Sequence, residues 1–186
     1  MPKVLVPLAA GCEEIEAVTI IDLLRRAGIE VVVAGLQPGI VRASRGTLLV
    51  PHCTLDVALQ EDFDMVVLPG GMPGMTNLKD DPRTIPLLQK MAQNDKYVCA
   101  ICAAPVVLAG AGLLKGKEAT SYPGFLDTMN LPDTTFSNAP VVTDGKIITS
   151  RGPGTAMDFA LELIETLAGR ARRDEVEAGL QRPGKY

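Results

Sequence analysis

The sequence has one histidine, no tryptophan and an aromatic content of only 4%. The lone His52 rules out metal sites built on a histidine cluster, and it makes any cysteine–histidine pair depend on that single residue. A second C-x-x-C is missing too, so Cys99 and Cys102 have no companion pair with which to hold zinc. The net charge is −4 and no block of five like charges occurs, so the chain lacks the basic footprint that phosphate-backbone binding needs. Nucleic acid is not indicated as a partner. There is no internal repeat, no low-complexity tract and no linker long enough to divide the 186 residues, which predicts a single domain over 1–186. The first residues, MPKVLVPLAAGCEEIEAV, pass from a short apolar run straight into Glu13, Glu14 and Glu16, unlike a secretory signal. The four cysteines follow no disulfide-scaffold spacing. A cytoplasmic protein with free thiols is expected.

The longest uncharged stretch, residues 97–114, has the minimum length for a membrane span. Pro105, Gly110 and Gly112 interrupt it, and a buried strand followed by a buried helix accounts for the same residues. No membrane partner is expected. Elsewhere, continuous apolar runs alternate with helical periodicity. KVLVPLA (3–9), EVVVAGL (30–36), FDMVVLPGG (63–71) and KYVCAI (96–101) read as strands buried on both faces. Residues 14–28, 82–94, 103–114 and 155–169 read as helices, with Pro82 at the start of the second. IVRAS (40–44) and TLLVPHC (47–53) look like an edge excursion, EATSY (118–122) is compatible with a strand, and 140–150 reads as a hairpin around Asp144-Gly145. RARRDEVEAGL (170–180) is a charged segment. The alternation implies an α/β fold, a mostly parallel sheet between two layers of helices.

Three chemistries compete for VCAICAAP (98–105). Along an extended strand Cys99 and Cys102 stand on the order of 10 Å apart, beyond the ~7 Å reach of a disulfide. A dithiol switch also wants both cysteines at a helix start, and a metal site wants more ligands than are present. The third option is a nucleophile elbow. In Ala100-Ile101-Cys102-Ala103-Ala104 the residues two before and two after the cysteine are small, as a sharp strand-to-helix turn requires. Such a turn lifts the Cys102 sulfur beyond the carboxyl end of its strand and leaves Cys99 a packed core thiol. LPGG (68–71) ends a neighbouring strand, and its Gly70-Gly71 pair allows backbone N–H groups to approach an oxyanion. An ordinary buried cysteine and an ordinary turn are the plainer alternatives.

What could activate the sulfur? His52 lies in the edge excursion, where a surface role is the simpler reading. The remaining candidates are the three glutamates of GCEEIEA. Acids in a first helical turn stabilise the helix without any chemistry, but three in four positions cannot all face outward equally. A protonated glutamate beside the thiol would donate to sulfur, so the pair would hold one proton between them.

AICAAP, LPGG, GCEEIEA, RRAGI, SRG and TSRGPGTAMDFAL occur in an order that resembles the ThiJ/PfpI superfamily. The resemblance spans about residues 3–180 and points to the branch that includes the human Parkinson-disease-associated protein and bacterial YajL-like proteins. It implies a flavodoxin-like α/β/α sandwich, a homodimer, and an oxidisable nucleophilic cysteine at Cys102 with Glu16 as its carboxyl partner. It further implies Gly71 and Ala103 as N–H donors, with Gly70 beside them. Arg45 and Arg26 would lie near the pocket, in part across the dimer interface. Many members carry a histidine close to the cysteine where this chain has Tyr122. The resemblance also implies a protein deglycase or glyoxalase acting on small α-oxoaldehydes or glycated side chains, with oxidative-stress sensing or chaperone action as alternatives. A cysteine hydrolase or amidotransferase on the same fold is a further alternative. No cofactor or metal is called for.

Overall fold

The computed structural model describes residues 1–183. The chain opens with β1 (Lys3–Leu8), α1 (Glu14–Arg26) and β2 (Glu30–Gly35). Next come β3 (Val41–Arg42), β4 (Leu48–Leu49), β5 (Cys53–Thr54), α2 (Leu55–Ala58), β6 (Met65–Leu68), α3 (Gly74–Asp80) and α4 (Thr84–Gln93). The second half holds β7 (Tyr97–Ile101), α5 (Pro105–Gly110), β8 (Glu118–Ala119), β9 (Thr135–Phe136), β10 (Val141–Asp144), β11 (Ile147–Ser150), α6 (Ala156–Ala168) and α7 (Arg170–Gly179).

Seven strands form the main sheet in the order β10-β11-β7-β6-β1-β2-β5, parallel except for the β10–β11 hairpin. β1 and β6 lie at its centre, and Val4, Leu5, Val6, Met65, Val66, Val67 and Leu68 are fully buried. Neighbours that point to opposite faces are equally inaccessible, so both faces must be covered. α1 packs on α6 and α6 on α7, while α3, α4 and α5 pack on one another. The α/β layering expected from the apolar runs is therefore the observed one. The edge excursion is present as well: β3 and β4 pair antiparallel in a small sheet of their own, and β5 returns beside β2.

Several elements depart from the sequence reading. Residues 118–122 contribute only the two-residue β8, which pairs with β9 in a small sheet of its own beside β10 and β11. The helix expected over 103–114 is regular only over α5, because Gly112 and Gly116 take left-handed backbone and end it in turns. Pro82 sits two residues before α4, not at its first position. Neither α3 nor α7 was read as a helix.

Parallel pairing brings strand ends together. β1 is in register with β2 up to Leu8–Gly35, β6 with β7 up to Leu68–Ala100, and β7 with β11 up to Ile101–Ser150. The segments after β1, β6, β7 and β11 therefore meet at one carboxyl edge, where open α/β sheets place their sites.

Candidate active site

The chain turns sharply after β7, and Cys102 sits in the left-handed region with φ 64°. A non-glycine residue held there stores on the order of 1–3 kcal/mol of backbone strain, which the surrounding contacts must offset. Those contacts are present: the Cys102 N–H donates to the Ser150 carbonyl (2.9 Å), and its carbonyl accepts from the Tyr122 N–H (2.8 Å). Ala100, Ala103 and Ala104 are buried around the turn, where a sharp elbow calls for small side chains. The Cys102 residue itself is 8% exposed.

Gly70 is wedged against this turn. A Cβ on it would stand 2.7 Å from the Cys102 Cβ, 2.8 Å from the Ile101 carbonyl oxygen and 2.9 Å from Glu16 Oε2. Gly71 takes φ 92°, and a Cβ there would come within 2.4 Å of the Glu13 nitrogen. These two glycines let the strand end lie flat against the thiol and α1 at once. The backbone N–H groups of Gly71 and Ala103 both reach the Cys102 sulfur.

The three glutamates at the start of α1 separate into three roles. The Glu13 side chain caps the helix by accepting from the Glu16 N–H at 2.8 Å. Glu14 reaches sideways and accepts from Ser44 Oγ (2.8 Å) and the Arg45 N–H (2.8 Å). Glu16 points inward and is fully buried. Its Oε2 accepts from the Gly70 N–H at 2.8 Å, its Oε1 is buried without a hydrogen-bond partner, and the carboxyl interacts with the Cys102 thiol.

Burial pushes the Glu16 carboxyl up to about 7, against the lowering effect of the Gly70 N–H and the thiol. Burial, and then the negative charge of Glu16, push the Cys102 thiol up to about 12, while the N–H groups of Gly71 and Ala103 pull it down. The height of the thiol value thus belongs in part to a sulfur that faces an ionised Glu16. When Glu16 keeps its proton the repulsion disappears, the O–H donates to sulfur, and the thiol ionises at lower pH. The two groups titrate as one pair, with the last proton shared between the carboxyl and the thiol.

The sulfur opens into a cleft of about 350 Å³. Glu13, Ser44, Arg45, Met72, Tyr122 and Phe125 line it. Tyr122 packs edge-on to Phe125 with ring centroids 6.3 Å apart and is half exposed at the mouth. A larger cavity, about 730 Å³ beside α4, lies elsewhere; Leu59, Phe63 and Leu87 line it and no cysteine does, so its size does not mark the chemistry.

A family profile described as the DJ-1/PfpI family matches residues 2–166. The chain belongs to the DJ-1/PfpI family. It is 44% identical over 177 residues to protein dj-1beta of Drosophila melanogaster, covering 95% of each chain. It is 35% identical over 157 residues to the glutathione-independent glyoxalase DJR-1.2 of Caenorhabditis elegans, covering 84% of this chain and 83% of the relative. The structure of oxidized Toxoplasma gondii DJ-1 superposes with a TM-score of 0.93 at 40% identity, covering 98% of this chain and all of that one.

In this DJ-1/PfpI chain Cys102, Glu16, Gly70, Gly71 and Ala103 converge on one point, and Arg45 and Tyr122 line the cleft above it. Arg26 does not join them within the chain. It lies in the last turn of α1, at the far end of that helix from Glu16, where it pairs with Asp22 in solvent. A thirteen-residue helix separates its two ends by roughly 18 Å, too far for a side chain to span. His52 is also elsewhere: its Nδ1 accepts from the Val33 N–H and its Nε2 faces Arg25, beside a separate cavity next to β2. All four cysteines are free, and Cys99 is sealed inside β7. Among the described residues no cluster of His, Cys, Asp and Glu has the arrangement of a metal site, and no helix is long and apolar enough to cross a membrane. Ser44, Met72, Phe125 and the loop-holding role of Glu14 had no signature in the sequence. The Ser44–Glu14 pair joins residues 30 positions apart.

Proposed function

We propose that the chain is a cofactor-independent enzyme that uses Cys102 to convert small α-oxoaldehydes, or their early adducts on proteins, to 2-hydroxy acids. The observation that carries this reading is a strained, left-handed Cys102 whose sulfur meets two backbone N–H donors and one fully buried carboxyl. The glyoxalase name of the nematode relative supports the choice of substrate.

Such a site needs no external electron carrier. Cys102 adds to the aldehyde carbon of methylglyoxal, and the new oxyanion takes hydrogen bonds from Gly71 and Ala103. A base moves a proton from C1 to C2 of the hemithioacetal, which oxidises the aldehyde carbon and reduces the ketone carbon. Water then cleaves the thioester to lactate and frees the thiol. Glu16, near pH 7 in its titration and touching the sulfur, is suited to carry the proton in both directions. Tyr122 stands at the position where many members carry a histidine, so no imidazole base faces the cleft. Lactate formation from methylglyoxal should vanish in Cys102→Ala; an unchanged rate would remove Cys102 from the chemistry.

A second reading has its own support. The same N–H groups and carboxyl suit the oxygens of an oxidised sulfur, and no other cysteine stands next to Cys102 to resolve a sulfenate. Cys102 would then act as a redox sensor, alone or coupled to a chaperone activity. Mild peroxide should add about 32 Da at Cys102, the mass of a sulfinic acid. A cysteine hydrolase mechanism is disfavoured because His52 lies beside another cavity.

A homodimer in the cytoplasm completes the proposal. Ile15, Val18, Leu48 and Val50 are exposed, and Val18 and Val50 line one surface hollow between α1 and β4. A second copy seated there would cover this apolar ground and bring its own α1, with Arg26, beside the first.

A further inference from the structure

The arm that carries Arg45 is built like a loop but held like a core element. β3 and β4 are two residues each, lie outside the main sheet, and leave Ala43 to Thr47 between them, with the buried Ala43 donating its N–H to the Thr47 carbonyl at 2.8 Å. Arg45, Gly46, Thr47 and Leu48 are all exposed. A segment with so little packing should drift, because few buried contacts oppose its entropy. Yet a single carboxylate collects three of its hydrogen-bond donors. Glu14 accepts from Ser44 Oγ at 2.8 Å, from the Arg45 N–H at 2.8 and 3.1 Å, and from the Thr47 N–H at 3.4 Å. The Ser44 N–H adds a fourth anchor on the Cys12 carbonyl at 2.8 Å. These bonds hold Glu14 ionised, down to about 2, although it lies partly out of solvent.

What the loop presents is a cation without a partner. Most of the chain's other arginines are tied: Arg26, Arg83, Arg170, Arg172, Arg173 and Arg182 to acids, Arg25 to His52 and Arg151 to Asn138. No acid pairs with the Arg45 guanidinium among the described residues, although Glu13 lines the same cleft. Glu14 spends its oxygens on the loop backbone and leaves the side chain to the cleft.

We propose that Glu14 is a positioning residue that holds the 44–47 loop at the rim, so that the free Arg45 guanidinium favours electrophiles bearing a negative charge in the approach to Cys102. This rests on Cys102 being the nucleophile, and it narrows the substrate class to anionic carbonyl compounds or adducts. A buried nucleophile and a fixed cation together orient a substrate by two points, which lowers the barrier through positioning alone.

The test uses two alkylating reagents of nearly equal size, neutral iodoacetamide and anionic iodoacetate, on the full chain, with the site followed by peptide mass. Both attack the same thiolate, so the ratio of their rates at Cys102 cancels any change in thiolate population. At low ionic strength Arg45→Gln should lower the iodoacetate-to-iodoacetamide ratio by about threefold or more, and added salt should erase the difference. Glu14→Ala should lower the ratio similarly with Arg45 intact. Ser44→Ala, which removes one of the bonds and disturbs the fold less, should give a smaller fall in the same direction. A ratio unmoved in Arg45→Gln would overturn the charge selection. A ratio that falls in Arg45→Gln but stays at the wild-type value in both Glu14→Ala and Ser44→Ala would overturn the positioning role. If Cys102 alkylates no faster than Cys53, the nucleophile reading itself fails, which is a separate outcome from either.

Discussion

At the residue scale the unusual object is Glu16, a carboxyl with no solvent and only one hydrogen-bond donor from the backbone. Its folded-state value of about 7 stands above the ~4.3 of an unfolded glutamate. The folded protein therefore binds this proton more tightly than the unfolded chain. The stability that goes with it is complete below the unfolded value and is lost as pH rises through about 7. Glu16→Gln cannot titrate, so it should gain on the wild type by up to about 3 kcal/mol between pH 4.5 and 7.5. Urea unfolding at the two pH values, in a Cys102→Ala background that removes the coupled thiol, checks this. Parallel stability curves would mean that the carboxyl is not raised. Gly70→Ala tests the same point by shape. Its new methyl group must displace the thiol, the Glu16 carboxyl or both, and a shift of about 1 Å in a reacting group costs on the order of 100-fold in rate. Lactate formation should fall by that order while far-ultraviolet circular dichroism stays native.

At the element scale the buried strands were legible and the polar helices were not. β1, β6 and β7 are runs of residues inaccessible on both faces, a pattern that periodicity reads directly. The elbow was legible because sterics dictate small residues around Cys102. α3 was missed because it starts with glycine after a proline, and α7 because RARRDEVEAG presents almost no apolar stripe. Ion pairs hold α7 in place of an apolar face. Glu177 is buried against Arg173 (2.8 Å) and Arg182 (3.3 Å), Arg182 reaches Asp158 of α6 (2.7 Å), and Arg172 donates to the Ala27 carbonyl at the end of α1 (2.9 Å). Glu177→Ala removes the shared acid but leaves Arg182 on Asp158, so the loss should be about 1–2 kcal/mol, below that of a fully buried pair. Limited trypsin digestion should cut α7 faster in the variant, before the main sheet opens. Equal cutting would show that apolar contacts such as Val176 hold the helix instead.

For the whole molecule, what stayed hidden in the sequence is long-range and polar. Nothing in the spacing of Glu14 links it to Ser44, and nothing in RRAGI says that Arg26 leaves the cleft within its own chain. The exposed Ile15, Val18, Leu48 and Val50 give a prediction at this scale. Sedimentation should give twice the 19.7 kDa of one chain, and Leu48→Lys with Val50→Asp should give a monomer of unchanged helix content. A monomeric wild type would leave that ground to another occupant.

The cleft is assembled from segments around residues 13, 44, 71, 102, 122 and 153, which touch only once the sheet is complete. In the unfolded chain four thiols meet an oxidant on equal terms. In the folded chain Cys12 and Cys99 are sealed, and Cys102 alone combines an opening with a proton-sharing neighbour. A molecule oxidised at Cys102 and nowhere else therefore carries a written history: it was folded when the oxidant arrived. One damaged also at Cys12 or Cys99, which the fold seals, was not.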